Sequence, residues 1–180
     1  MPHDPFAVNA APGFDDPLGM LRACHRRIER QLGTLNRLLR HLPEHHADPE
    51  ARAAATAILR YFDTAAINHH ADEEQSLFPR LIIAAPDVRI LARQLEREHE
   101  ALAARWARLR PLLSAIAARC GAYLPVKDVE SFCAAYGAHI AREEGALLAR
   151  AAEALAASDL AAIGAEMAAR RDVATAGLPA

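Results

Sequence analysis

Four histidines, His25, His69, His99 and His139, stand where the surrounding residue pattern calls for leucine. His69 is followed four residues later by Glu73, and His139 by Glu143. That spacing puts imidazole and carboxylate on one face of a helix. An imidazole in an apolar stripe is costly unless its ring nitrogens find partners, and an ionised carboxylate is costlier unless it is paired or binds a metal. Four imidazoles and two carboxylates converging on one interior volume need compensating positive charge, which two divalent cations supply. The order also recurs: His25, His69 and Glu73 in the first half, His99, His139 and Glu143 in the second, with His-to-His gaps of 44 and 40 residues. Two halves, each giving two histidines and one glutamate, predict a pseudo-symmetric dinuclear site with the glutamates as bridging ligands. Imidazole and carboxylate without thiolate favour iron first, then manganese or zinc.

These residues must be carried by helices. Leu18, Leu21, His25, Ile28, Leu32, Leu35, Leu39 and Leu42 step by threes and fours behind Asp16-Pro17, an N-cap followed by a first-turn proline, and Pro43 is expected to end the run. A second stripe runs Ala55, Ile58, Phe62, Ala65, His69, Glu73 and Leu77, ending near Phe78-Pro79. The third follows Pro86-Asp87 as Val88, Leu91, Leu95, His99, Leu102, Trp106, Leu109, Leu113 and Ile116. Pro111 inside it is expected to kink or end the helix. Past Gly121 and Pro125, the fourth has Val129, Phe132, Tyr136, His139, Glu143 and Leu147. Ser158-Asp159 reads as the N-cap of a short fifth helix with Leu160, Ile163 and Met167 on one side. The expected fold is all-α: an extended arm over 1–16, an up-down-up-down four-helix bundle over 17–155, and a short C-terminal helix and tail over 156–180.

Composition agrees and narrows the function. Of 180 residues, 52% are hydrophobic and only 5% aromatic, with alanine and leucine dominant, so one helical domain with a sizeable core is expected. A formal charge of −2, with arginines scattered among acids, gives no electrostatic case for nucleic acid or an anionic membrane. Neither a signal peptide nor a membrane span is read, and three cysteines without a CxxC pair fit a reducing compartment, so a cytoplasmic location is expected.

Other titratable residues have plainer accounts. His70, Asp72 and Glu74 are placed on the flank and outer face of the second helix, and Glu144 parallels Glu74; a solvent-side pair or a contact to a ligand imidazole is preferred to ligation. His41, His45 and His46 cluster around Pro43 as a polar turn, the alternative being a supplementary ligand or proton relay. Tyr61, Tyr136 and Trp106 are assigned to the core, although a tyrosine near the metals has the chemistry to donate a hydrogen bond to a bound ligand. Cys24 and Cys133 are read as buried and inert.

A ferritin-like site needs Glu-x-x-His on two helices; only Glu96 to His99 offers it, and two helices carry HxxxE instead. The stretches CHRRIERQL, HHADEEQSLFPRL, EREHEAL and HIAREEGALL together resemble the hemerythrin-like, HHE cation-binding domain in its bacterial single-domain form, over roughly residues 15–150. The resemblance implies iron ligation by His25, His69, Glu73, His99, His139 and Glu143, with two irons bridged by carboxylates and an oxo or hydroxo group. Leu95 stands four residues before His99 and Ala103 four after it, so the HxxxH pair of oxygen-carrying hemerythrins is missing. The set resembles proteins linked to nitric oxide, peroxide and iron-centre maintenance. The implied function is a non-haem di-iron protein that binds or reacts with O2, NO or peroxide in stress response or iron handling, served by a redox or signalling partner. If it is an enzyme, it is a di-iron oxidoreductase acting on NO or peroxide. The alternative is a structural or interaction bundle holding zinc or another divalent metal.

Overall fold

The computed structural model describes residues 12–172, and within them every regular element is helical. The expected extended arm falls mostly outside the described residues. Helix α1 spans Pro17–His45; Asp16 caps it by accepting from the Gly19 N–H at 2.9 Å, with Pro17 in the first turn where its missing N–H costs nothing. A second continuous helix, α2, covers 49–84 and is capped in the same way, Asp48 accepting from the Ala51 N–H at 2.8 Å ahead of Pro49. Helix α3 spans Arg89–Ala117 after a 3-10 turn at Pro86–Val88, and α4 covers 126–154. The last helix, α5, spans Ala157–Ala169. Its N-cap is Ala156, not Ser158: Asp159 lies one turn in and its carboxylate accepts from the Ala156 N–H at 3.3 Å.

Three prolines expected to end or kink helices do not end them. Pro43 and Pro111 lie inside α1 and α3, both on the solvent side, where the carbonyl each leaves unbonded can face water. Pro79 lies early in the segment Phe78–Ala84, directly after a π-helical turn at Glu73–Leu77, whose i→i+5 bonding has already shifted the hydrogen-bond ladder.

Helix α1 packs on α2 and α4, and α3 packs on the same two, closing a ring of four, while α5 lies across α1 and α2. The core is split. One cluster holds Ile28, Leu35, Ile58, Phe62, Leu102, Leu109, Phe132 and Tyr136; the other holds Leu21, Leu77, Phe78, Leu81, Leu95, Leu147, Ile163 and Met167. On each of the four helices the chain passes from one cluster to the other through a buried histidine, so the polar residues form a layer between two apolar ones. Close contact of α5 with the segment before α1 depends on Gly164, where a Cβ would lie 1.9 Å from the Phe14 carbonyl oxygen. Among the described residues no helix is long and apolar enough to cross a membrane.

Candidate metal centre

Two helices reach the layer through an unusual turn. At Glu73–Leu77 and again at Glu143–Leu147 the backbone forms π-helical turns, the Phe78 N–H bonding to the Glu73 carbonyl and the Leu148 N–H to the Glu143 carbonyl. Four residues overshoot an α turn by about 40°. Two such steps, His69 to Glu73 to Leu77, would carry Leu77 off the buried face. The wider π turn takes that overshoot back, and Leu77 and Leu147 are both fully buried. A turn of this kind beginning at each glutamate keeps imidazole, carboxylate and the next apolar layer in line.

All six sequence-predicted residues come together. His25, His69, Glu73 and Glu143 are fully buried, with His139 and His99 only 1% and 4% exposed. They form two groups, His25, His69, Glu73 and Glu143 in one and His99, His139, Glu73 and Glu143 in the other, the donor atoms of each lying within 4.8 Å of one another. Glu73 therefore reaches His69 at 3.4 Å and His99 at 3.4 Å, while Glu143 reaches His25 and His139, both at 3.1 Å. None of the four carboxylate oxygens is aligned for a hydrogen bond, and the inward Nε2 atoms of His25 and His69 are likewise without a partner. Buried polar atoms orphaned in this number mark a place for a cation. The His/Glu cluster fits a metal site.

The outward nitrogens fix the tautomers. His25 donates through Nδ1 to Glu144 at 2.9 Å, His99 to Glu74 at 2.6 Å, and His139 to Glu98 at 3.0 Å. With Nδ1 carrying the proton, each Nε2 lone pair points inward, and those of His99 and His139 stand only 3.1 Å apart. Two lone pairs and two carboxylates facing one another repel unless a proton or a metal ion lies between them. Arg142 pairs with Glu98 at 2.6 Å and holds that carboxylate in place. Without metal, the charges settle unevenly. Burial pushes Glu73 up to about 7, helped by the neighbouring Glu143. Burial also opposes charge on Glu143, but the approach of His139, His25 and His99 holds it well below the usual carboxylate range. Burial works against the His99 imidazolium too, yet Glu143, Glu73 and Glu74 hold it up at about 10, while burial drives His69 down to about 3.

The two halves correspond residue for residue. Glu74 on His99 matches Glu144 on His25, so the flanking pair of the two HxxxEE runs serves both halves alike. Three positions break the match, one of them Asp72 against Arg142. Glu98, which holds His139, corresponds to Cys24, and the Nδ1 of His69 has no partner. His70 corresponds to Ile140, which is buried. Glu98 was not singled out from the sequence; the signal for it is its place directly before His99, where Cys24 stands before His25.

Two expectations change, and the polar-turn reading of the His41 cluster holds. Asp72 is fully buried beneath α5, paired with Arg170 and with Arg171 at 2.5 Å, because the fifth helix covers what periodicity marks as an outer face. His70 is largely enclosed, and its Nε2 is buried without a partner; burial drives it down to about 2. The His41 cluster is a capping turn, His41 bonding to Asp48 at 3.1 Å and stacking on His45. Sixteen residues of α1 separate His41 from His25, about 24 Å along the axis, so it adds no ligand to the layer. Tyr61 donates to the Cys24 carbonyl at 3.3 Å, Tyr136 packs against Phe62 and Phe132, and Trp106 donates to Asp63 at 2.9 Å. Cys24 is buried, and burial raises its thiol above the ordinary range.

A family model described as the hemerythrin HHE cation binding domain matches residues 16–151. An uncharacterized protein of Haemophilus influenzae is 34% identical over 160 residues, spanning 89% of this chain and 92% of that protein.

Proposed function

The chain belongs to the hemerythrin HHE cation-binding family, and from that premise we propose that it holds two iron ions and binds or reacts with a small ligand, O2, NO or peroxide. The observation that carries this reading is the pair of buried four-residue groups sharing Glu73 and Glu143. His25 and His69 would complete one ion's protein ligands, His99 and His139 the other's, and the two glutamates would bridge. Their orphaned oxygens and inward lone pairs support the fit. When bound, the two irons supply electrons and open positions for the small ligand. The protein's own part is to exclude water with apolar layers on both sides and to orient the imidazoles through Glu144, Glu74 and Glu98.

The same reading takes 17–155 as the functional unit in up-down-up-down order, with 156–180 laid over it. It gives the protein a cytoplasmic role in oxygen or nitrosative stress or in iron handling, with a redox or signalling protein as partner and no nucleic acid or membrane. Anaerobic reconstitution with Fe(II), followed by metal analysis and visible spectra under O2, NO and peroxide, tests it. Wild-type protein should hold two ions per chain. Glu143→Ala, which removes a ligand from both groups, should lose stoichiometric iron, whereas His25→Ala touches one group only. Two irons retained in Glu143→Ala, or colourless wild-type protein holding zinc alone, would overturn the assignment.

A further inference from the structure

One of the positions at which the two halves differ is His70. HHADEE in the first half reads HIAREE in the second, so His70 has Ile140 as its counterpart. His70 is not an outward-facing residue. Its ring stacks on that of His99, with centroids 3.9 Å apart and planes 11° from parallel, and it lies edge-on to His139 at 6.0 Å. Tyr136 backs it at 6.2 Å. One ring nitrogen of His70 falls within 4.8 Å of the donor atoms of both His99 and His139. Its Nε2 is buried with no partner in the protein. Leaving such an atom unpaired costs about 1–3 kcal/mol, and a leucine or isoleucine at this position would avoid that cost, as Ile140 does in the other half.

The stacked geometry limits what His70 can do. An imidazole lone pair lies in the plane of its own ring. Two parallel rings one ring-thickness apart direct their lone pairs side by side rather than to a common point. The lone pairs of His70 and His99 therefore do not converge on one point, and His70 would not share an ion with His99. What would be left for His70 is a group held beside the donor atoms of His99 and His139, from which one of its ring nitrogens lies within 4.8 Å. A neutral imidazole can either donate to or accept from such a group.

We propose that His70 hydrogen-bonds the exogenous small ligand at this centre, and that the ligand is taken on the His99/His139 side rather than on the His25/His69 side. The ligand class is a small diatomic or linear species with a polar terminal atom: dioxygen, peroxide, nitric oxide or an anion such as azide. This rests on the di-metal reading above. The apolar Ile140 gives the opposite side no comparable polar group, so the two ions are chemically distinct in what they can bind. His70 is a ligand-contacting residue on this view and not a fifth histidine ligand.

The test uses azide as the probe on the oxidised, iron-loaded full chain. Wild type, His70→Leu and His70→Gln are compared for iron content, for azide affinity by visible titration, and for the vibrational frequency of the bound azide. His70→Leu should keep two irons per chain, bind azide about tenfold more weakly and shift its frequency; His70→Gln, which keeps a donor and an acceptor, should recover part of both. Unchanged affinity and frequency in an iron-replete His70→Leu would overturn the proposal. So would loss of an iron ion in both variants, which would make His70 a ligand. His70→Gln keeps the test open if the leucine variant does not fold. Wild-type protein without two irons would bring down the di-metal reading as well, and that outcome is read on the wild type before any variant is made.

Discussion

Replacing Asp72 by asparagine should release α5 from the bundle while the four long helices stay folded. Asp72 is fully buried and stands directly before Glu73; its carboxylate faces the guanidinium groups of Arg170 and Arg171, the latter at 2.5 Å. The substitution conserves volume and removes the anion, leaving two arginines on a low-dielectric surface. Breaking a buried pair in this way costs about 3–5 kcal/mol. The arginine side chains keep 19% and 20% of their surface in solvent, which lowers the expected cost to about 2–3 kcal/mol. Ile163 and Met167 remain buried against the second apolar cluster, and Arg80 still pairs with Glu166 at 2.6 Å, so the helix is loosened rather than lost. At about 1.4 kcal/mol per tenfold, opening of α5 should become about 30- to 150-fold more frequent. Native-state hydrogen exchange measures this directly, with Ala157–Ala169 as the reporter and Arg89–Ala117 as the internal reference. Unchanged protection across α5 would refute the clamp. Equal loss in α5 and α3 would refute its local character, since the pair would then support the whole fold and not the docking of one helix.

The two ions should leave at different rates when a chelator is added. His99 and His139 are both oriented by carboxylates, whereas His69 has none, and an outer partner of this kind is worth about 10–100-fold in metal affinity; a single release phase removing both ions together would contradict this. Metal uptake should also release protons. Burial opposes the His99 imidazolium, but Glu143, Glu73 and Glu74 hold it up at about 10, so at pH 7 the metal-free centre carries a proton that an ion must displace. Below about 7 the raised Glu73 adds another. Affinity should therefore rise with pH from about 7 towards 10 and fall further below 7, and calorimetry in buffers of different ionisation heat should report the protons; equal heats in all buffers would rule it out.

The ligand layer was legible because its residues violate the pattern around them. A leucine stripe that admits a histidine on four helices, with an in-phase glutamate on two, leaves little room for another account, and all six residues meet as expected. The flanking glutamates were legible as a class, Glu74 and Glu144 holding the outward nitrogens of His99 and His25. Asp72 and His70 were not, for a common reason. Periodicity reports which side of a helix is apolar, but says nothing of a fifth helix laid across it or of a ring that stacks inward from the flank. Prolines misled for a local reason: a single missing hydrogen bond on a solvent face is tolerated, and a π turn upstream of Pro79 removes the conflict altogether.

Those π turns have a consequence for how such a chain changes over time. A π turn differs from an α turn by one extra residue, so inserting or deleting a single residue creates or erases it without breaking the helix. At Glu73–Leu77 and Glu143–Leu147 the wider turn absorbs the extra residue, so such an event leaves the downstream helix facing the same core. Deleting Glu74 or Glu144 would keep the HxxxE pair and the downstream core face, and would remove only the carboxylate that bonds His99 or His25. Length differences of one residue between relatives, usually assigned to loops, are for this protein best sought in mid-helix, directly after Glu73 or Glu143.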